Sequence, residues 1–146
     1  LNTFFEGDIS IWTTGGSGSD TWAITGSEAH TGSRSAFAYP TGVDYTYIRT
    51  TLATPSNGTV SVEYYYKVDC DNSSLGSEFS FYAQGNNSSS STRIYHRTGA
   101  STTGWQQIKS TVNLNALATP PSIYWLAQIT SGSGNCAFYL DDIKAY

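Results

Sequence analysis

The sequence predicts an all-β protein, built as a two-sheet antiparallel β-sandwich of the jelly-roll type. Apolar and polar residues alternate with a period of two in runs along the whole chain, whereas no helical period of useful length occurs. Clusters of Gly, Ser, Asn and Pro separate these runs. Eight runs are well defined, and among β-sandwiches the jelly roll has this strand number.

Three short N-terminal strands are expected before the eight main ones. We place them at Thr3–Glu6, Ile9–Trp12 and Thr21–Thr25, with a flexible loop at Thr13–Asp20. The main runs cover residues 34–39, 45–52, 59–68, 78–84, 92–98, 105–112, 122–130 and 136–145. Turn-forming residues separate them, so each boundary has its own turn chemistry.

The length and composition are those of one extracellular domain. A chain of 146 residues suits a single core. Charged residues make up only 12%, Met is absent, and Ser, Thr, Gly, Asn and Tyr are abundant, which suits a secreted, monomeric β-protein. The net charge of −4 argues against nucleic acid as a partner. No apolar run approaches the roughly 20 residues of a membrane-spanning helix.

The two cysteines, Cys70 and Cys136, form either one disulfide or a buried thiol pair. The secreted-type composition favours the disulfide, and the spacing is not that of a zinc site. A disulfide would place strand 59–68 antiparallel beside the last strand. Jelly-roll topology requires the same neighbour relation, with the last strand between the first and third of the eight.

Five stretches, in chain order, resemble a known group of proteins. They are Phe5-Glu6-Gly7, residues 30–36, Val60–Val68, Gly104-Trp105 and the closing Phe138-Tyr-Leu-Asp-Asp-Ile143. Together they look like the β-jelly-roll carbohydrate-binding modules of families 4, 6, 9 and 22, and like the MAM domains of animal adhesion proteins. The MAM pattern is richer in cysteine than this chain, so a MAM-like protein-binding domain is the alternative.

The resemblance implies a structural calcium ion. Its ligands would be Glu6, backbone oxygens around Ser33, and Asp141 of the last strand, an oxygen-only set that suits Ca²⁺. Of the adjacent aspartates we choose Asp141, because it shares a face with Tyr139 and Ile143 and is therefore expected to point inward. The alternative is that both aspartates are solvated or accept hydrogen bonds from backbone amides.

One sheet face collects aromatic and planar polar side chains. Jelly-roll order places runs two, four, five and seven in one sheet, and their outward positions hold five tyrosines and three of the chain's four arginines. The candidate ligand-binding residues are Tyr45, Tyr47, Arg49, Glu78, Tyr82, Gln84, Arg93, Tyr95, Arg97, Tyr124 and Gln128. In the related modules the corresponding concave face binds polysaccharide.

The chemistry of this face suits sugars. Aromatic rings pack on sugar rings, and Arg, Gln and Glu hydrogen-bond to hydroxyl groups. Arginine also binds carboxylate or sulfate, so an acidic glycan, uronate-containing or sulfated, is a candidate beside a neutral one. The alternative is a surface stabilised by cross-strand pairs, with Arg93 and Arg97 facing Glu78.

Outside this face the chain offers little chemistry. Trp12 and Trp22 are interpreted as lids on the core, the alternative being a second, edge-on sugar platform as in family 6 modules. Trp105 is interpreted as structural. His96 has inward parity, which argues against a small polysaccharide lyase. The sequence therefore predicts a non-catalytic, secreted carbohydrate-binding module that targets an attached polysaccharide-degrading enzyme.

Overall fold

The computed structural model describes residues 2–3, 12–17, 21–40, 45–52, 58–70, 78–86, 93–98, 101–131 and 136–146. Within these ranges the strands are β1 (Asn2–Thr3), β2 (Thr13–Gly16), β3 (Ala23–Thr25), β4 (Ser35–Ala38), β5 (Tyr45–Thr51), β6 (Thr59–Cys70), β7 (Glu78–Gly85), β8 (Arg93–Thr98), β9 (Gln106–Asn113), β10 (Ser122–Ser131) and β11 (Cys136–Ala145). A 3-10 turn at Leu114–Ala116 joins β9 to β10. Among the described residues there is no helix long and apolar enough to span a membrane.

The strands form two antiparallel sheets packed face to face. One has the order β3-β4-β11-β6-β9, with β1 paired to β11, and the other has the order β2-β5-β10-β7-β8. The predicted β-sandwich of jelly-roll type is thereby confirmed, as is the division of the eight main runs between the sheets. Strand β11 lies between β4 and β6, as the sequence predicts for the last, first and third runs.

Aromatic side chains from both sheets fill the core. Tyr64 of β6 meets Trp125 of β10 edge to face, with ring centroids 5.6 Å apart. Phe138 of β11 stacks on Phe81 of β7 at 6.1 Å. All four side chains are at most 1% exposed. Such pairs bury large apolar areas from each sheet, which holds the two sheets together.

The predicted disulfide is confirmed. Cys70 and Cys136 are register partners at one end of the β6–β11 pair, and their sulfur atoms are 2.05 Å apart. The bridge joins residues separated by 66 positions. In the chain-entropy model, a disulfide that closes a loop of that length stabilises the native state by roughly 4 kcal/mol, because it restricts the unfolded chain.

The N-terminal part differs from the prediction. Residues 13–16 form β2, which pairs with β5, so the expectation of a flexible loop there is wrong. The physical reason is that β5 needs a hydrogen-bonding partner along its free edge. Of the strands predicted at Thr3–Glu6 and Ile9–Trp12, most residues lie outside the described ranges, and β1 covers Asn2–Thr3.

The two tryptophans of this region are buried, as predicted. Trp12 is 7% exposed and Trp22 is 2% exposed. The indole ring of Trp12 meets that of Trp125 edge to face at 6.0 Å. Both therefore close the core and present no platform for a sugar.

Candidate functional site

The outer face of the five-stranded sheet is organised in three rows that cross the strands. Register partners share a face, so each row follows from the pairing. The middle row is Gly15, Tyr47, Leu126 and Tyr82; one flanking row is Thr13, Arg49, Tyr124 and Gln84; the other is Tyr45, Gln128 and Ser80. The middle row is thus mainly apolar, and polar groups flank it on both sides.

A pocket of about 330 Å³ opens on this face over β5 and β10. Its lining consists of Tyr45, Tyr47, Arg49, Tyr124 and Leu126. Four of these are predicted ligand-binding residues. Leu126 has outward parity in β10, but an isolated aliphatic residue carries no sequence signal for a binding site.

The tyrosine rings are held by their neighbours. Tyr47 and Tyr124 have centroids 6.2 Å apart at an interplanar angle of 58°. The side-chain amide of Gln84 donates a hydrogen bond to the Tyr124 hydroxyl. Gln84 therefore orients a pocket ring from the adjacent strand, and Tyr82 and Gln128 lie on the same face beside the pocket.

Tyr95 is not on this face, and its predicted outward orientation is wrong. Its hydroxyl is hydrogen-bonded to that of Tyr66 at 2.5 Å, and the ring packs against the core. The cause is a β-bulge at Ile94, which places Tyr95 opposite the inward residue Ala83. A bulge adds one residue to a strand and breaks the simple alternation of faces.

The same register corrects two further positions of β8. His96 lies opposite Tyr82 and Arg97 opposite Phe81, the reverse of the parity expected from the sequence. Arg93 lies opposite Gln84, as expected. The side chains of Glu78, Arg93, His96 and Arg97 lie outside what the structure describes, so the predicted pairing of Glu78 with the arginines stays a prediction.

The adjacent aspartates bind the chain segment before β4. Asp141 Oδ2 accepts hydrogen bonds from the backbone N–H groups of His30 and Thr31 at 2.9 and 3.2 Å, and Oδ1 accepts one from Asp142 N–H at 2.8 Å. Asp142 Oδ2 lies 2.6 Å from His30 Nδ1, and Oδ1 accepts from the Thr31 hydroxyl at 2.5 Å. We call these four residues, His30, Thr31, Asp141 and Asp142, the clasp.

The orientation predicted for Asp141 is only half right. It does share a face with Tyr139, but that face is the outer one, because Phe138 and Leu140 fill the core. Asp141 is 1% exposed because the His30–Thr31 segment covers it. A bulge after Asp141, with Asp142 at a φ of 51°, then turns Ile143 inward.

The calcium prediction concerns Asp141, whose carboxylate accepts three backbone hydrogen bonds. Burial raises the pKa of Asp141, while the N–H groups of Asp142, Thr31 and His30 act in the opposite direction. Those three donors offset part of the cost of burying the carboxylate. No group of three or more His, Cys, Asp or Glu residues in the described ranges is arranged to hold a metal. Glu6 lies outside those ranges, so the calcium prediction rests on a ligand that remains to be placed.

The outer face around the clasp carries contacts between aromatic rings that the sequence does not predict. His30 stacks on Tyr65 with centroids 3.6 Å apart, and Trp105 meets the His30 ring at 5.8 Å. Trp105 also contacts Tyr139 at 6.3 Å. The structural interpretation of Trp105 agrees with these contacts. Tyr65, on the outer face of β6, is covered by the His30 ring.

Solved structures with the same fold include carbohydrate-binding modules and an adhesin domain. The C-terminal family 22 carbohydrate-binding module of Clostridium thermocellum Xyn10B matches with a TM-score of 0.69 and 17% identity, over 99% of this chain and 90% of that one. TmCBM61, solved with β-1,4-galactotriose, matches with a TM-score of 0.56 and 15% identity, over 98% of this chain and 93% of that one. The K2 cleaved adhesin domain of Lys-gingipain matches with a TM-score of 0.61 and 18% identity, over 98% of this chain and 96% of that one.

At these identities the likeness establishes the shared fold, that of the β-jelly-roll carbohydrate-binding modules. No family model matches the sequence. The search of curated proteins also finds no match.

Proposed function

We propose that this chain is a non-catalytic carbohydrate-binding module that binds polysaccharide in the pocket on the five-stranded sheet. The chemistry of the pocket carries the proposal. Three tyrosines and Leu126 offer apolar surface to sugar rings, while the tyrosine hydroxyls and Arg49 offer hydrogen bonds to sugar oxygens. The Xyn10B module is described as binding ligand through a cleft, and TmCBM61 was solved with a galactotriose.

The preferred ligand is an acidic glycan, uronate-containing or sulfated. Arg49 is exposed, and the five residues that line the pocket include no carboxylate to pair with it. A guanidinium group binds carboxylate or sulfate with two parallel hydrogen bonds, which a neutral hydroxyl cannot match. Contact with Arg49 therefore gives an acidic glycan a higher affinity for the pocket than a neutral one.

The module acts by attachment. It is secreted, monomeric and joined to an enzyme that degrades polysaccharide, and binding keeps that enzyme near its substrate by raising the effective concentration. The matching family 22 module is likewise one module of a larger protein, Xyn10B. The pocket lining holds neither a carboxylate nor a histidine that could act as a base.

The alternative function is recognition of a protein, as in an adhesion domain. The likeness to the adhesin domain of Lys-gingipain favours it, and Tyr and Arg are also enriched in protein interfaces. A glycan array separates the two functions, because an adhesion domain that recognises protein would give no binding signal on the array.

Native gel electrophoresis through immobilised polysaccharide tests the proposal. We expect polygalacturonate or a sulfated galactan to retard the protein more than xylan or β-1,4-galactan does. Arg49→Gln should weaken binding to the acidic polymer by about tenfold or more, since it removes a charge-assisted hydrogen bond. The matched control is Arg34→Gln, an exposed arginine just before β4 in the other sheet.

Two outcomes contradict the proposal in different ways. If none of the four polymers retards the protein, glycan binding in this pocket is wrong. If the acidic polymers retard the protein and Arg49→Gln has no effect, only the basis for acidic preference is wrong. Incubation with polygalacturonate should produce no new ultraviolet absorbance, since unsaturated products would show a lyase.

A further inference from the structure

We infer that Gly15 is a positioning residue of the binding site, because it sets the size of the pocket by letting the Tyr47 ring lean over the edge strand β2. The inference rests on the proposed function, since it concerns the same pocket. Gly15 lies outside the pocket lining, in the segment Thr13–Asp20 for which the sequence predicts a loop.

The contact between the two residues is direct. Gly15 of β2 is the register partner of Tyr47 of β5. A Cβ atom added to Gly15 would lie 2.6 Å from Oη, 2.7 Å from Cζ and 3.0 Å from Cε1 of Tyr47. These distances are shorter than van der Waals contact allows, so the outer end of the Tyr47 ring occupies the space that a side chain at position 15 would need.

The backbone gives no other reason for glycine at this position. The glycines with positive φ in the described residues are Gly32, Gly58 and Gly104. Gly15 has the extended conformation of a strand, which any residue adopts. The Tyr47 ring is therefore the feature of the structure that a side chain at position 15 would disturb.

The position of Tyr47 matters because the pocket lies on its other side. The ring leans toward β2, whereas every residue of the pocket lining belongs to β5 or β10, with Leu126 of β10 the register partner of Tyr47. A side chain at position 15 would push the ring back over β10 and reduce the space for a sugar. A misfit of one methylene between a ligand and an apolar pocket is worth about 10- to 200-fold in discrimination, and we expect an effect of similar size here.

Gly15→Ala is a clean test because the clash is with the rotatable end of a side chain. Gly16 is unsuitable, since a Cβ there would meet the backbone of Tyr45 and Thr46 and disturb strand pairing. The matched control is Gly26→Ala, where the new Cβ would make an ordinary contact of 3.7 Å with the Ser33 carbonyl oxygen. Both variants are expected to melt close to the wild type.

The experiment has a structural and a binding readout. A crystal structure of Gly15→Ala should show the Tyr47 ring displaced away from β2 and over β10. Titration calorimetry with hexagalacturonate and xylohexaose should show affinity lowered by about tenfold or more in Gly15→Ala and unchanged in Gly26→Ala. In a Tyr47→Ala background, adding Gly15→Ala should have no further effect, because the ring through which Gly15 acts is gone.

The outcomes separate this inference from the proposed function. If the wild type binds neither hexasaccharide, the proposed function fails, and the crystal structure still decides whether Gly15 positions Tyr47. If the wild type binds and Gly15→Ala binds equally well, the inference is overturned. An unmoved Tyr47 ring in the crystal structure, or a further loss of affinity in the double variant, also overturns it.

Discussion

Tyr95 shows how the orientation of one residue decides between a binding role and a structural one. Its hydroxyl is bonded to that of Tyr66 across the two sheets. Replacing Tyr95 by Phe should lower the free energy of unfolding by about 1 kcal/mol, because a partly buried hydrogen bond is lost and the Tyr66 hydroxyl remains. Urea unfolding measures the loss, and binding to polysaccharide should be unchanged.

Tyr45→Phe is the matched control for this prediction. Tyr45 is 38% exposed, so removing its hydroxyl should leave the free energy of unfolding within experimental error. Equal stability of Tyr95→Phe and the wild type would contradict the inward role of Tyr95. A loss of glycan affinity in Tyr95→Phe with stability intact would return Tyr95 to the binding face.

At the residue scale, sequence alternation predicts the pocket wherever the strands are regular. Tyr45, Tyr47 and Arg49 alternate with buried Thr46 and Ile48 without interruption, so their outward orientation follows from the period of two. No comparable signal marks Gly15. In the sequence, the pair Gly15-Gly16 favours a turn. The reason for a glycine at position 15 of β2 is the ring of Tyr47, which belongs to β5.

At the element scale, bulges limit what the period of two can predict. The boundaries of β4 to β11 are close to those expected because turn-forming residues mark them. The faces predicted for β8 after Ile94 and for Asp141 in β11 are wrong, because one extra residue at Ile94 and another after Asp141 gives the two sides of each bulge different parity. Such a residue is fixed by pairing with a neighbouring strand, which a local pattern does not contain.

The bulge in β11 positions the Asp142 carboxylate for its contacts in the clasp. Asp142 has a φ of 51°, and its carboxylate holds His30 Nδ1 and the Thr31 hydroxyl. Asp142→Ala removes both hydrogen bonds and places alanine in a region that Asp tolerates better. We expect the free energy of unfolding to fall by about 1 to 3 kcal/mol in urea titrations.

The control for the clasp is Asp69→Ala, since Asp69 is an exposed aspartate near the end of β6. It should change stability much less than Asp142→Ala does. Similar small effects for both variants would contradict a stabilising role for the clasp. The pocket is on the other sheet, so glycan binding by the folded Asp142→Ala variant should equal that of the wild type.

At the scale of the whole molecule, the two sheets have different tasks. The six-stranded sheet holds the disulfide, the clasp and the β1–β11 pair, which join distant parts of the chain. The five-stranded sheet holds the pocket. Changes to the clasp are therefore expected to alter stability, and changes to the pocket surface are expected to alter binding.

The calcium prediction belongs to this scale, because Glu6 and Asp141 would join the beginning of the chain to its end. If calcium binds there, a chelator should lower the melting temperature, since a ligand bound only to the native state stabilises it by about 2.7 kcal/mol at 100 times its Kd. Excess calcium should restore the melting temperature, and Asp141→Asn should no longer respond to the chelator. A wild-type melting temperature that ignores the chelator would contradict the prediction and leave the backbone N–H groups of His30, Thr31 and Asp142 as the compensation for Asp141.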